Sequence, residues 1–483
     1  MVSTFGSLQT AYSGLAAARA GLDVTGQNMA NVGTTGYTRQ RIVQTEVGAP
    51  AQTGFVRGTA ALAGQGVSVD AIARLASSTL DTRVRFSVGA AAYADTRSAA
   101  LDQLETGLHE PGADGLSAKL DGLWSAWSDL ATHIDDPGSA SALIGAAKTV
   151  ATALSAGSSA IDAQWSATRS TLATQVGQLN DAAKQVADLN GAIRTALASG
   201  GTANELLDQR DQLTEEIATL TGAAVRDNGD GTVDVVIGGN PLVQGTTARG
   251  VTLEGPPTLD AMNTTTSTGQ PSAPSLRWVG GSVGPVALDG GSIAGGLSLL
   301  APANDAHTGG ALAEASAAYD RVATDLATKV NALHATGTTP SGAKGTAFFA
   351  LAAGVPAARG LSVVPTDGSG LATRSASGQF DASVLTAIAG IGSGAGAPDT
   401  TWATFVTGVG SASRAASSES TLTGLALTNA RTQQQSSAGV DMDEENVSLL
   451  AYQHAYQGAA RVLTAVDEML DTIINRLGLV GRS

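Results

Sequence analysis

The residues of this chain that could do chemistry are few and far apart. Gly280-Gly281-Ser282-Val283-Gly284 has the spacing of a hydrolase nucleophile elbow, in which a tight turn presents a serine hydroxyl. Pro285 and Val286 follow it rather than a helix-forming run, so the strand–turn–helix context that exposes such a serine is missing. Gly337 to Lys344 comes near a phosphate-loop pattern. Ala343 separates Gly342 from the lysine, and Gly345 replaces the hydroxyl residue that would hold magnesium. The run Asp227 to Gly231 comes near a calcium loop, but aligning its glycine on Gly231 puts Arg226 at the first ligand position and Ile237 at the twelfth. A tight turn is sufficient there. His109, His133, His307, His334 and His454 have no metal-ligand spacing and read as surface or helix-flank residues. The carboxylate pairs Glu215-Glu216 and Asp467-Glu468 fall on helix exteriors and read as solvated. No cysteine is present, which removes disulfides, thiolate metal sites and thiol nucleophiles. Neither catalysis nor a cofactor or metal is expected from this set.

The composition points the same way. The 483 residues suffice for two to four domains. Hydrophobic residues make up 43%, aromatics only 4% and charged residues 14%, with 60 glycines, so thin domains and many turns are expected rather than one deep core. The formal net charge is −15 and no basic run occurs. Nucleic acid and anionic membrane surfaces are therefore poor partners. No stretch approaches the roughly 18 apolar residues of a spanning helix, and the first residues read as an amphipathic helix rather than a cleavable signal peptide.

The elements that must supply the function are the two chain ends. Phe5, Leu8, Tyr12, Leu15, Leu22 and Met29 fall on a 3/4 alternation interrupted at Arg19 and Gly26, with Ser3 a candidate N-cap. Leu449, Tyr452, Tyr456, Ala459, Leu463, Val466, Leu470, Ile473, Leu477 and Val480 keep that spacing without a miss. Asp441 with Glu444 forms a capping-box pattern ahead of this second stripe. A helix carrying such a stripe is stable only if the stripe is covered along its length, because backbone ordering opposes it at every residue. The first helix is a short, imperfect partner, so neighbouring copies are candidates for the missing cover.

Between the ends, Tyr37–Val47 and Gly66–Ile72 read as extended and Ser77–Leu108 as helix. Pro111-Gly112 and Pro137-Gly138 read as breaks on either side of a helix with Trp124 and Trp127. Helical spacing runs from Ala142 to Ala198, with Asn190 as one polar insertion, and from Ala203 to Leu220. At Gly222 the pattern turns to hairpin chemistry, with Val225, Val233, Val235, Ile237 and Val243 among Asn-Gly, Asp-Gly and Gly-Gly pairs. Helical spacing returns from Ala311 to His334 and from Thr400 onwards, and residues 336–400 are rich in small residues. The expected fold class is α+β and multidomain: a long α-helical bundle formed by the N- and C-terminal regions with β-rich middle domains inserted.

Three stretches carry a resemblance to a known family. Gly26 to Gln40 resembles the N-terminal signature of the flagellar rod, hook and hook-associated axial proteins, with Asn28, Asn31, Gly36, Tyr37 and Arg39 as its motif positions. Gly33 stands where an asparagine is usual, which loosens one turn position. Asn204 to Leu213, and Val440–Glu445 through Leu470, are similar to segments of the hook-associated branch and argue against a hook or distal-rod type. The matches anchor roughly the first 220 and last 70 residues, at the level of family motifs. The resemblance implies a non-enzymatic, extracellular subunit of the bacterial flagellum at the junction of hook and filament. It implies type III export without cleavage and terminal segments that order on assembly. The implied partners are a ring of sister copies, hook protein, a second hook-associated protein on the filament side and an export chaperone on the C-terminal segment. Nucleic acid and membrane insertion are not implied.

The expected organisation is an inner helix and turn over 1–36, a helical-bundle domain over 37–221, and a β-rich outer domain over 222–300. A returning helix over 301–335, a small-residue segment over 336–400, the rest of the bundle over 401–440 and a C-terminal inner helix over 441–483 complete it. Phe5, Leu8, Tyr12, Leu15, Leu22, Tyr456, Leu463, Val466, Leu470, Ile473 and Leu477 are the expected assembly interface. Asn31, Gly36, Tyr37 and Arg39 are expected to turn the chain from inner helix to outer domain. In dilute single chains, hydrogen exchange should leave roughly the first 30 and last 40 residues unprotected. Slow exchange around Val466 and Leu470 would contradict that expectation.

Overall fold

The structure, a computed structural model, describes residues 4–48, 64–263, 273–281 and 284–472. Helix α1 (Thr4–Ala30) leads through a turn to the antiparallel strands β1 (Gln40–Glu46) and β2 (Val67–Arg74). Ser3, the candidate N-cap of α1, lies outside the described residues. Four helices follow: α2 (Ser78–Leu108), α3 (Leu116–Thr132), α4 (Pro137–Ala198) and α5 (Asn204–Thr221). The middle contains β3 (Ala224–Asp227), β4 (Val233–Ile237), β5 (Asn240–Gln244), β6 (Thr247–Ala248), β7 (Val251–Glu254), α6 (Leu259–Asn263), β8 (Ser275–Trp278) and α7 (Gly291–Leu299). Helix α8 (Ala311–His334) returns, and β9 (Phe349–Leu351), α9 (Ala357–Gly360), β10 (Leu361–Val363) and α10 (Ser383–Ala389) decorate it. The chain closes with α11 (Pro398–Ala438) and α12 (Met442–Asp471).

Helix α4 is the spine. Its 62 residues extend about 93 Å at the helical rise of 1.5 Å per residue. Pro137, expected to break structure, starts this helix instead. A proline lacks the N–H that the first turn cannot use, and Asp136 caps it by accepting from the amides of Gly138 and Ser139 at 3.1 and 2.9 Å. The heptad-like run Leu172, Val176, Leu179, Ala183, Val186 and Ile193 is buried, while its last position, Leu197, near the free end of the helix, is exposed. Asn190 is no defect in it. Its side chain is fully buried, donates to the carbonyls of Val233 and Gly245 at 2.8 and 2.7 Å, and accepts from the Val233 amide. One side chain thus holds the antiparallel sheet β3-β4-β5-β6 against the spine.

The turn before β4 is held by carboxylates: Asp227 accepts from the Gly229 amide and Asp230 from that of Thr232, both at 2.9 Å. Residues 336–397 pack around an aromatic cluster in which Trp127 lies 4.9 Å from Phe348 between ring centroids. His334 belongs to this cluster, and the surface reading of it is corrected. Its ring is fully buried, its Nδ1 donates to the Thr346 carbonyl at 2.7 Å, and its Nε2 accepts from the Ala372 amide at 3.0 Å. Helices α2 and α11 run antiparallel, bound through Arg83 to Gln433, Gln434 to Asp81 and Ser420 to Asp95.

Burial depresses the His334 pKa below its ordinary 6.5, against the raising effect of the Thr346 carbonyl. The fold holds the neutral ring, so its contribution is intact above about pH 6.5 and is lost as pH falls below that value towards the depressed one. Thermal melts from about pH 7 to 5 should show this acid loss in the parent. In His334→Leu the step should be absent, from a lower starting stability.

Candidate assembly joint

Helices α1 and α12 pack side by side and carry the chain ends. The buried face of α1, turned to α12 and the β1–β2 pair, consists of Ala11, Ala17, Ala18, Gly21, Val24, Thr25 and Asn28. These residues repeat every three or four positions but are small, so the large-residue pattern did not reveal them. Gly21 lies under the Tyr452 ring, and a Cβ there would come within 2.5 Å of it. The expected large stripe lies on another face of α1: Leu8, Leu15 and Leu22 are half-buried and Tyr12 is 61% exposed. On α12, Val466 is buried, Leu449, Tyr452, Leu463 and Leu470 are half-buried, and Tyr456 is exposed. The side chain of Phe5, and the residues Ile473, Leu477 and Val480, lie outside the described residues. Beyond the expected set, Val447, Leu450, Val462 and Met469 form a second exposed apolar face of α12, roughly opposite the first at 100° per residue.

The three motif stretches of the sequence meet at the root of this pair. Asn28, buried near the end of α1, donates to the Gln40 carbonyl at 2.8 Å and to Glu445 at 3.2 Å. Its Oδ1 accepts from the Gln40 amide at 3.0 Å and from the Tyr37 hydroxyl at 2.9 Å. Arg39 grips the start of α12: Nε meets Glu445 at 2.6 Å, Nη1 meets Glu444 at 2.5 Å, and its amide donates to the Ala438 carbonyl. Asp441 caps α12 by accepting from the amides of Asp443 and Glu444 at 2.8 and 3.2 Å, so only half of the expected capping box forms; Glu444 serves Arg39 instead.

The second motif supplies the other wall. Asp208 and Asp211 hold Arg74 at 2.5 and 2.8 Å, and Asp208 also accepts from the Thr38 amide. Asn204 donates to Gln40 Oε1 and to the Ile72 carbonyl, both at 3.0 Å. Gln212 donates to the Thr35 carbonyl at 2.7 Å. Gly36, at φ +79°, is required here, since a Cβ would strike the Gln212 amide. Arg210 points away and ties Asn190 to the Gly231 carbonyl. Asn31 bonds to the Gln27 carbonyl and accepts from the Thr34 hydroxyl, closing the turn. A cleft of about 640 Å³ opens between these walls, bounded by residues 31–39, α5, the start of α2 and the α11–α12 link.

The electrostatics are those of a clasp. Burial, with the nearby charges of Asp208, Glu205 and Glu445, pushes the Tyr37 phenol up to about 12. Burial works against the Arg39 and Arg74 charges, and their carboxylate partners outweigh it, holding both above the usual arginine value. Burial pushes the Asp208 carboxyl up in spite of Arg74. No group of three or more His, Asp or Glu placed to hold a metal occurs among the described residues. Ser282 lies outside them, His334 has both ring nitrogens engaged, and the exposed His307 faces Glu314 and Arg321. No helix among the described residues is long and apolar enough to cross a membrane.

The paired terminal helices, fastened at their root by the polar joint, are the regions in which the chain is similar to flagellar rod proteins. Family models described as flagella basal body rod protein and flagellar basal body rod FlgEFG protein C-terminal match residues 8–38 and 433–477. The model described as flagellar hook-associated protein FlgK helical domain matches residues 101–349, and the chain belongs to that family. The flagellar hook-associated protein 1 of Bacillus subtilis is 28% identical over the full length of both chains. That of Salmonella typhimurium is 28% identical over 71% of this chain and 58% of its own length. The solved structure titled as the flagellar hook junction protein FlgK from Burkholderia pseudomallei shares the fold at a TM-score of 0.61 and 16% identity, covering 74% of this chain and all of that one.

Glu445 is 2% exposed, so Arg39→Met should strand a buried charge and cost the joint about 3–5 kcal/mol. The Gln40 amide should then exchange faster, and adding Glu445→Gln should recover most of the loss. The Tyr37 phenol is neutral in the fold, so its contribution is complete below its ordinary value of 10.0 and is lost as pH rises towards about 12. The tyrosinate difference spectrum between the parent and Tyr37→Phe should titrate near that upper value.

Proposed function

We infer that this chain is an extracellular structural subunit of the bacterial flagellum that joins hook to filament by packing its terminal helices. The observation that carries this is the pairing of α1 with α12 through small residues, which leaves large apolar side chains of both helices uncovered. Tyr12 on α1 and Leu450 and Val462 on α12, at 61%, 55% and 49% exposed, face outward along the pair. Burial of such faces is the main drive for association of helices, and sister copies offer the same faces in return.

In this reading residues 1–36 and 441–483 are the inner unit, and 37–221, 301–335 and 401–440 are the bundle. Residues 222–300 and 336–400 are outer lobes. Phe5, Leu8, Tyr12, Leu15, Leu22, Tyr456, Leu463, Leu470, Ile473 and Leu477 belong to the intersubunit core, with Val466, already buried within the single chain, beneath them. The neighbours are hook protein on one side and a second hook-associated protein on the other, and a chaperone covers the C-terminal stripe before type III export. The work done is mechanical, with no catalytic step and no cofactor. The match over 101–349 favours this over a hook or distal-rod subunit.

Leu463→Asp with Leu470→Asp places charges in the seam, where burial without a partner is costly. A strain carrying that variant as its only copy should lose filament attachment while the outer lobes stay folded, read by electron microscopy of flagella and by circular dichroism of the purified chain. Normal filaments would overturn the reading.

A further inference from the structure

Two stretches of chain cross from the terminal helices and their β pair to the bundle. Leu75–Ser77 joins β2 to α2, and Gly439–Asp441 joins α11 to α12. Both are short, and both meet at one residue. The Arg39 amide donates to the Ala438 carbonyl, and the Arg39 carbonyl accepts from the Leu75 amide, each at 2.9 Å. Crossings brought together in this way form one pivot, and a pivot at a single place does not fix an angle.

The angle is held by α5. Asn204, Asp208, Asp211 and Gln212 fall at i, i+4, i+7 and i+8, on one face of that helix. All four reach across to the far side of the pivot. Asn204 donates to Gln40 and to the Ile72 carbonyl, Asp208 holds Arg74 and the Thr38 amide, Asp211 holds Arg74, and Gln212 donates to the Thr35 carbonyl. These contacts are polar. Among the described residues, the apolar core of the bundle includes none from α1, β1, β2 or α12. Between the turn 31–39 and the start of α2 lies the open cleft, so on that side the turn is not packed.

We propose that the joint is a latched hinge: the polar face of α5 sets the angle between the terminal helices and the bundle, and its release lets the β1–β2 pair and the helix roots swing about Arg39 without unfolding either part. A swing of this kind exposes polar groups, which water can satisfy, rather than hydrocarbon, which it cannot. The short links supply the rotation, as the few element-terminal residues of a hinge do. The segment from Asn204 to Leu213, singled out in the sequence by its family resemblance, is then the latch. A neighbour that favours a second angle obtains it by displacing four side chains of α5. The inference does not depend on what the terminal helices bind.

The test uses the full chain, which has no cysteine of its own. Glu46→Cys at the end of β1 and Ala99→Cys on α2, both exposed, carry spin labels. Pulsed electron paramagnetic resonance then reads the distance between them, and the latched chain should give one narrow distribution. Arg74→Met with Asp208→Asn and Asp211→Asn removes the latch charges together, so that none is stranded. The distribution should then broaden or split, while the melting temperature and the exchange protection of the β1–β2 ladder stay as they were. Arg83→Ala, which removes a contact to Gln433 inside the bundle, should leave the distribution narrow. A distribution that stays narrow in the triple variant would overturn the proposal, and so would a broad one in the latched chain or in Arg83→Ala. Rapid exchange across the ladder of the triple variant would mean that the pair unfolds instead of swinging, and the hinge would be lost with it.

Discussion

Glu445 sits in the first turn of α12 almost wholly out of water, and a carboxylate so placed persists only while Arg39 and Asn28 hold it. Much else follows from that contact. It fixes the start of α12 against the end of α1, so the two helices leave the joint as a pair. It places Asn28 where both the N–H and the carbonyl of Gln40 bond to it, which sets the first residue of β1. It also brings the Arg39 amide to the last carbonyl of α11. Residues more than four hundred positions apart in the sequence are thereby made neighbours.

The two halves of the molecule cohere by different physics. The bundle and its lobes share one apolar core that runs from Leu101 to Ala416 and is centred on Trp127, Trp165 and Trp402. Among the described residues, that core includes none from α1, β1, β2 or α12. The terminal pair is fastened to the bundle by hydrogen bonds and ion pairs instead, through Asp208, Asp211, Arg74, Asn204 and Gln212. Apolar contacts tolerate sliding, whereas directional polar contacts hold one geometry and come apart as a unit.

Much of this architecture was legible in the residues. The heptad-like spacing of α4 and α12, the hairpin chemistry after Gly222 and the Asp441 cap all reflect local rules that act within a few residues. Pro137 was misread because a proline serves equally to end one helix and to start another, and the deciding residue was Asp136. His334 was misread because a histidine carries no mark of burial; only the distant Thr346 and Ala372 backbones make a neutral ring favourable there. The joint was half visible. The turn residues stood out, but Asp208, Arg74 and Glu445 find each other only through the fold, and no spacing announces them. The seam of α1 was missed because alanine and glycine leave no hydrophobic signature while permitting the closest approach of two backbones.

That closeness has a geometric consequence. Where Ala17, Ala18 and Gly21 line a contact, the axes of α1 and its neighbour can lie nearer than leucine-lined helices allow. A pair drawn together in this way makes a slender rod, and a slender rod subtends a smaller arc of any circle it helps to draw. A cylinder walled by such rods packs more of them around a given bore, and its wall gains staves without gaining thickness.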